Sequence, residues 1–375
     1  PVAAIDRHGN LDRWGDLRPL AGGGYFLQSA PAVPRILKGD NGDGLYEDLP
    51  FFLEDLRPQG FIGRQIAREL HGQSNLFPPD PRDWNQEHIG RYLVANGDDL
   101  PGNLQIGPLA LDRLRRPPQR IRRDDYPELA EKALQGEVHG SSAGGEQPKF
   151  AIFSKERNGH AIVKFSPEGG QESATRWRDV LVTECIASEV MQYYDFPAAE
   201  LKVFDAKERL FVEALRFDRS GEYGRFPCIS MRAVDNEFSG VGSGWVHVAK
   251  RLQQRNLISW QHLVVIAVYW GFGRLINNTD MHLGNMSFSF DDAGLCPAPM
   301  YDMCSMGFAP KNTGETPPLA FTPPGIEEPL AFAGKTIGMV KDMAKMFWSK
   351  LNNDKRISDE LRYFLQHDNP GDTIS

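Results

Sequence analysis

The residues that could do chemistry fall in a few short stretches. Asp280, His282 and Asn285 lie within six residues in LINNTDMHLGNMSF, residues 275–288. An Asp five residues before an Asn suits phosphoryl transfer. The carboxylate can take a hydroxyl proton while the amide oxygen helps hold Mg²⁺. Asp302, in PMYDMCS, follows Asn285 by seventeen residues, where a second metal-binding carboxylate belongs. Such oxygen ligands fit a hard cation better than zinc. Upstream, SSAGGEQPKF (141–150) sets two adjacent glycines before a strand, so that backbone N–H groups can turn towards an anion. Lys149 and the two serines make phosphate the natural occupant. In AIVKF, Lys164 shares a strand face with Ile162, which is costly unless the ammonium is paired. Glu184, on the next helix, is the candidate partner.

Each feature also has a plain structural reading. A Gly-Gly pair is often only a turn. A strand Lys can reach solvent with its head. An Asp-Asn pair commonly caps a helix or closes an Asx turn, and a single His is commonly a satisfied structural residue. Chance explains the separate features better than it explains their order.

The elements that must position these residues are legible in outline. Residues 1 to about 112 alternate short apolar runs with Gly and Pro, an α+β pattern with helices at Ile62–Leu70 and Glu87–Val94. RLRRPPQRIRR (113–123) holds six arginines around a Pro pair, read as a solvated linker or as a patch for phosphate or nucleic acid. A helix is expected over Tyr126–Leu134. KFAIFSKE and HAIVKFSP read as two strands joined at Asn158-Gly159, a hairpin signal. Asp179–Tyr194 reads as a helix with one buried face. LKVFDAKERLFVEAL reads as two more strands. Residues 219–375 read as mostly helical, strongest at Trp260–Phe272 and Asp359–Gln366, with a loop-rich stretch at 309–330.

Composition narrows the class. The chain has 375 residues, 41% hydrophobic and 25% charged, with 42 Lys and Arg against 50 Asp and Glu. This excludes a disordered chain, a collagen-like chain and an overall basic nucleic-acid coat. Four scattered cysteines give neither a disulfide framework nor a CxxC zinc site, which points to a reducing, cytoplasmic compartment. No apolar run approaches the roughly 18 residues of a membrane span; Leu263–Phe272 reads as a buried helix. The start PVAAIDRHGN has no signal-peptide core. It also lacks Met, so the expectation is a fragment or a processed product.

With these motifs in view, the sequence resembles the HipA family of serine/threonine kinases, the toxin half of bacterial toxin–antitoxin systems, and most of all its YjjJ (HipH) branch. SAGGEQPK (142–149), IVKF (162–165), RFDR (216–219), NNTDMHLGN (277–285) and PMYD (299–302) carry the likeness, and DLRPQGFIGR (55–64) resembles the N-terminal subdomain. The resemblance implies an α+β, protein-kinase-like fold. Its expected parts are an α+β subdomain (1–112), a basic linker and helix (113–136), a β-rich N-lobe (137–215) and a helical C-lobe (216–375). It implies Asp280 as catalytic base, Asn285 and Asp302 as Mg²⁺ ligands and Lys164 on the ATP phosphates, paired with Glu184. The loop Gly144, Gly145, Glu146, Gln147, Pro148 and Lys149 would cover the phosphates. Glu213, Leu215 and Phe217 would form the hinge against adenine, and His282 would support the catalytic loop. Ser142, or its neighbour Ser141, would be autophosphorylated and switch the kinase off.

Three departures stand out. Gly284 occupies the place of a Lys that the family usually carries before the metal-binding Asn. Two residues separate Glu213 from the usual arginine position. Relatives of this branch can carry a DNA-binding region before the kinase part. The implied partners are a protein acceptor, an aminoacyl-tRNA synthetase by analogy, and an antitoxin or DNA-binding region outside this chain. DNA could also contact Arg113–Arg123; no membrane partner is implied. Two other classes stay open: a metal-dependent nuclease using Asp280, His282, Asn285 and Asp302, and a nucleotide-binding pseudokinase regulator, suggested by Gly284.

Overall fold

In the computed structural model of the protein, the short apolar runs of the first hundred residues pair as antiparallel strands. The structure describes residues 1–31, 33–97, 99–108, 117–136, 147–311 and 313–374. The chain divides into two compact units. One comprises Pro1–Lys164, Leu215–Gly242 and Ser287–Cys296; the other comprises Phe165–Ala214, Ser243–Met286 and Pro297–Ser375.

In the first unit, β1 (Val2–Ile5), β2 (Leu11–Pro19), β3 (Tyr25–Ser29), β4 (Leu45–Tyr46) and β5 (Leu104–Ile106) form a sheet in the order β4-β3-β2-β1-β5. Two helices accompany it, α1 (Gly60–Gln73) and α2 (Gln86–Asn96). The start of α2 is fixed by Asn85, whose side chain accepts from the His88 N–H at 3.0 Å. Phe51, Phe52, Tyr46 and Phe238 pack edge to face in the core. Asp55 holds Ser230, accepting from its N–H at 2.8 Å and its hydroxyl at 2.5 Å. Ser230 in turn caps the helix Met231–Phe238.

Next come β6 (Arg120–Ile121), α3 (Tyr126–Leu134), β7 (Lys149–Ser154) and β8 (Gly159–Phe165). β6 lies parallel to β7, and β7 pairs antiparallel with β8 from Lys149↔Lys164 to Ser154↔Gly159. The turn needs a left-handed residue, supplied by Asn158 at φ 48°. Two described arginines of the basic stretch are committed to carboxylates. Arg120 pairs with Glu222 and lies 4.8 Å from the Phe153 ring centre, and Arg122 pairs with Asp124 at 3.0 Å. Arg113, Arg115 and Arg116 lie outside the described residues.

A buried ion cluster links the region around residue 100 to the RFDR segment. Asp218 accepts from Arg216 at 2.9 and 2.7 Å, from Arg219 at 2.7 Å and from the Gly102 N–H at 2.8 Å. Arg219 also donates to the carbonyls of Gly102 and Leu100 and to Asp99. Burial would push the Asp218 carboxyl up. The guanidinium groups of Arg216 and Arg219 outweigh it and hold the group well below the usual carboxylate range.

The second unit is built on helices α4 (Glu172–Tyr193), α5 (Trp245–Gln254), α6 (Trp260–Leu275), α7 (Thr336–Asn352) and α8 (Asp359–His367), with strands β9 (Leu201–Ala206) and β10 (Arg209–Leu215). α6 packs against α5 and α7, and α7 against α4. α6 is apolar on most faces, as a central helix must be.

Two expectations need correction. α4 does not present a single buried face: Asp179 to Ser188 is buried all round. Its polar residues escape the periodic pattern because partners inside the fold satisfy them. Asp179 accepts from Ser358 at 2.7 and 2.6 Å, Thr183 accepts from the Ser305 N–H at 3.0 Å, and Ser188 donates to the Ala199 carbonyl. The stretch 219–375 also contains short ladders, Arg219–Ser220 with Gly224–Arg225 and Ile229–Ser230 with Ser287–Asp291. The three two-residue strands are too short to show an alternation in sequence, whereas Ser287–Asp291, reading SFSFD, carried a strand signal that the reading passed over.

Candidate active site

The loop carrying Asp280 begins where α6 is forced to stop. Ser259 starts the helix by accepting from the His262 N–H at 3.1 Å. At the other end, Asn277 takes the left-handed conformation (φ 62°), and the Asn278 N–H reaches back to the Gly273 carbonyl at 2.9 Å. This is a helix stop with Asn in the place usually taken by Gly. Gly273 lets the loop lie close, because a Cβ there would sit 2.8 Å from Met281 and 3.1 Å from the Met303 sulfur.

Within the loop, the Asn278 side-chain oxygen accepts from the Asp280 N–H at 3.0 Å. Asn285 Nδ2 donates to the Asp280 carbonyl at 2.7 Å and to its Oδ2 at 3.2 Å. The buried amide therefore fixes the carboxylate and turns its own oxygen away from it. His282 Nδ1 accepts from the Gly284 N–H at 3.0 Å, closing the turn Leu283–Asn285. Its Nε2 stands 3.7 Å from Asp280 Oδ1, beyond hydrogen-bond reach. The Trp245 indole N–H holds the His282 carbonyl at 3.0 Å.

Asp302 adopts φ 53°, a strained value for a residue other than glycine, of the kind that marks functional turns. The neighbouring Tyr301 hydroxyl donates to the Gly284 carbonyl at 3.1 Å, bringing this turn to the loop. Asn278 Nδ2 lies 3.4 Å from the Met303 sulfur and ties the two segments again. Asn285 and Asp302 offer hard oxygen donors. No group of three or more His, Cys, Asp or Glu able to hold a metal exists among the described residues. That donor set fits Mg²⁺, which commonly takes one or two carboxylates and completes its shell with phosphates and water.

Asp280 is 47% exposed, and it opens on a pocket of about 510 Å³. Trp270 and Arg274 of α6, residues 278–282, Gly325 and Pro329 line it. Sequence reasoning passed over Trp245, Tyr301 and Arg274. Arg274, six residues before Asp280, carried the only local signal, and a basic residue in a last helical turn reads first as a complement to the helix dipole.

The first unit holds Lys149 and Lys164 directly opposite each other on the β7–β8 hairpin, 3% and 6% exposed. Residues paired across antiparallel strands share a face, so the hairpin sets two buried lysines on one side, with the charge that a polyphosphate would need. Gln147 Nε2 is buried with no hydrogen-bond partner among the described residues, a donor fit for an anionic oxygen. Leu215 and Phe217 are half-buried, and the Arg216 N–H donates to the His160 carbonyl at 2.9 Å. Glu213 is fully buried on β10 opposite Lys202, and Glu184 is buried within α4; both belong to the second unit. Ser141, Ser142, Gly144, Gly145 and Glu146 lie outside the described residues.

The class that this architecture defines is the HipA kinase fold. A structure of the Shewanella oneidensis MR-1 toxin–antitoxin system HipA, HipB and its operator DNA aligns over 97% of this chain and 94% of that one, with TM-score 0.59 at 16% identity. The Helicobacter pylori proinflammatory kinase CtkA aligns over 62% of this chain and 91% of that one, with TM-score 0.41 at 14% identity. Residues 1–115 match the family described as YjjJ-like toxin, middle domain, and residues 141–353 match the HipA-like C-terminal domain. The Toxin YjjJ of Escherichia coli K12 is 33% identical over 375 residues, covering 98% of this chain and 82% of that protein. The chain belongs to the HipA-like family, among its YjjJ-like toxins.

Proposed function

We propose that the protein is an ATP- and Mg²⁺-dependent serine/threonine protein kinase that also phosphorylates Ser142 or Ser141 in its own phosphate loop. The observation that carries this reading is the Asp280–Asn285 pair, a solvent-facing carboxylate oriented by an amide that keeps an oxygen for a cation. Lys149 and Lys164 bind and neutralise the nucleotide phosphates, with Gln147 as a further donor, and Leu215 and Phe217 receive the adenine. Glu213 completes the hinge, Pro148 shapes the loop end and Glu184 is the proposed partner of Lys164. Asp280 accepts the acceptor hydroxyl proton as that oxygen bonds to the γ-phosphorus. The bond from this phosphorus to the β–γ bridging oxygen breaks, and ADP leaves. Asn285 and Asp302 would hold Mg²⁺, which when bound neutralises charge on the β- and γ-phosphate oxygens. His282 keeps the loop closed through the Gly284 N–H.

The acceptor is a protein hydroxyl, with an aminoacyl-tRNA synthetase as the candidate supplied by family likeness. The HipA of Shewanella is described with HipB and operator DNA, so a DNA-binding antitoxin is the partner proposed here too, in the cytoplasm. None of the described helices is long and apolar enough to cross a membrane. The test is phosphate incorporation from labelled ATP into the protein itself. Asp280→Asn should lose roughly 10²- to 10⁴-fold in rate, the share a positioned base commonly supplies. Incorporation at the wild-type rate would refute the assignment.

A further inference from the structure

The pocket in front of Asp280 carries a charge pattern that phosphoryl transfer itself does not require. Neither Asn285 nor Asp302, the residues suited to Mg²⁺, lines it. It therefore meets the proton-accepting carboxylate from the side where an acceptor segment must enter. Its walls are the last turns of α6, with Trp270 and Arg274, and opposite them Gly325 and Pro329. Arg274 is exposed and makes no hydrogen bond or ion pair with the described residues. Behind the opposite wall, Lys250 Nζ lies 3.5 Å from the Pro329 carbonyl and 4.5 Å from the Phe332 ring centre. Glu327, next along this wall, is neutralised by Lys341 at 2.5 Å. Among the described residues that line the pocket, Arg274 is the one lysine or arginine, and its donors are uncommitted there.

We infer that this pocket selects protein acceptors in which the Ser or Thr stands beside an Asp or Glu, with Arg274 as the residue that reads the carboxylate. The inference rests on Asp280 being the base of a protein kinase. A carboxylate next to the acceptor would be repelled by Asp280 if nothing offset it. The planar fork of Arg274 supplies the offset and can hold both carboxylate oxygens at once. Trp270 adds an apolar wall for the stem of the neighbouring side chain.

The experiment uses the full chain, labelled ATP, Mg²⁺ and Ser/Thr peptides that differ only in Glu, Gln or Lys beside the acceptor. The expected wild-type kcat/KM for Glu over Gln is roughly 10- to 100-fold, the range of one charged hydrogen-bonded contact. Arg274→Gln should abolish the preference, and Arg274→Glu should turn it towards Lys. Nucleotide affinity, read with a fluorescent ATP analogue, should be unmoved in both variants and reports that they are folded. A wild-type enzyme indifferent to the neighbour, or an Arg274→Glu enzyme that keeps the Glu preference, overturns the inference and leaves the kinase reading standing. A wild-type protein that phosphorylates neither itself nor any peptide overturns both.

Discussion

Replacing Asp218 tests the ion cluster that joins the N-terminal region to the RFDR segment. Asp218, Arg216 and Arg219 have side chains 8%, 7% and 2% exposed. The carboxylate accepts three hydrogen bonds from guanidinium groups and one from the Gly102 N–H. Asp218→Ala takes this carboxylate from two buried guanidinium groups, of which Arg219 keeps Asp99, and removing one partner of a buried ion pair costs about 3–5 kcal/mol. Asp218→Asn keeps an acceptor oxygen for Gly102 or Arg219 and should fall at the lower end. Replacing Arg216 and Asp218 together by Met and Leu should cost less than Asp218→Ala alone, because Arg216 is not stranded and Arg219 keeps Asp99. The assay is urea unfolding followed by intrinsic fluorescence. The pH dependence has a defined sign. A carboxyl held below its unfolded value of about 3.9 contributes fully above that value, and its contribution fades only as pH falls through the folded value. The gap between wild type and Asp218→Asn should therefore be flat from pH 8 to 5 and shrink below. A loss under about 1 kcal/mol for Asp218→Ala, or a gap that changes between pH 8 and 5, would refute the reasoning.

Lys149→Met and Lys164→Met should each weaken binding of a fluorescent ATP analogue by about 10- to 100-fold, the value of a charged contact to phosphate. Affinity equal to wild type in both would remove the hairpin from the nucleotide site. The thiols should separate in alkylation at pH 8. Burial, helped by the charge of Asp218, pushes the Cys228 thiol up to about 12, so only about one molecule in ten thousand is thiolate. Cys296 is exposed and should react first, well ahead of the half-buried Cys228, as read by peptide mass spectrometry.

Much of the fold was legible because the signals were local. Asn158-Gly159 announced the β7–β8 hairpin, and α6 followed from its apolar run. The order Lys164, Asp280, Asn285, Asp302 suggested the phosphoryl-transfer reading that is proposed here. Long-range pairs were not legible: Asp218 meets Gly102 across 116 positions, and Asp179 meets Ser358 across 179. Such pairing converts polar residues into core, which is why α4 looked half-exposed in sequence. Arg274 was hidden for the opposite reason. It makes no bond within the described residues, and its meaning lies in the pocket it shares with Asp280. Gly284 was read as a missing cation; in the structure its backbone serves the loop, its N–H bonded to His282 and its carbonyl to Tyr301.

The central claim is most directly tested by incubating the purified chain with Mg²⁺ and ATP, measuring intact mass and mapping any phosphate. The account predicts a gain of one phosphate on Ser142 or Ser141, absent from Asp280→Ala. No gain, in protein that binds ATP and carries no phosphate beforehand, or an equal gain in Asp280→Ala, would contradict it.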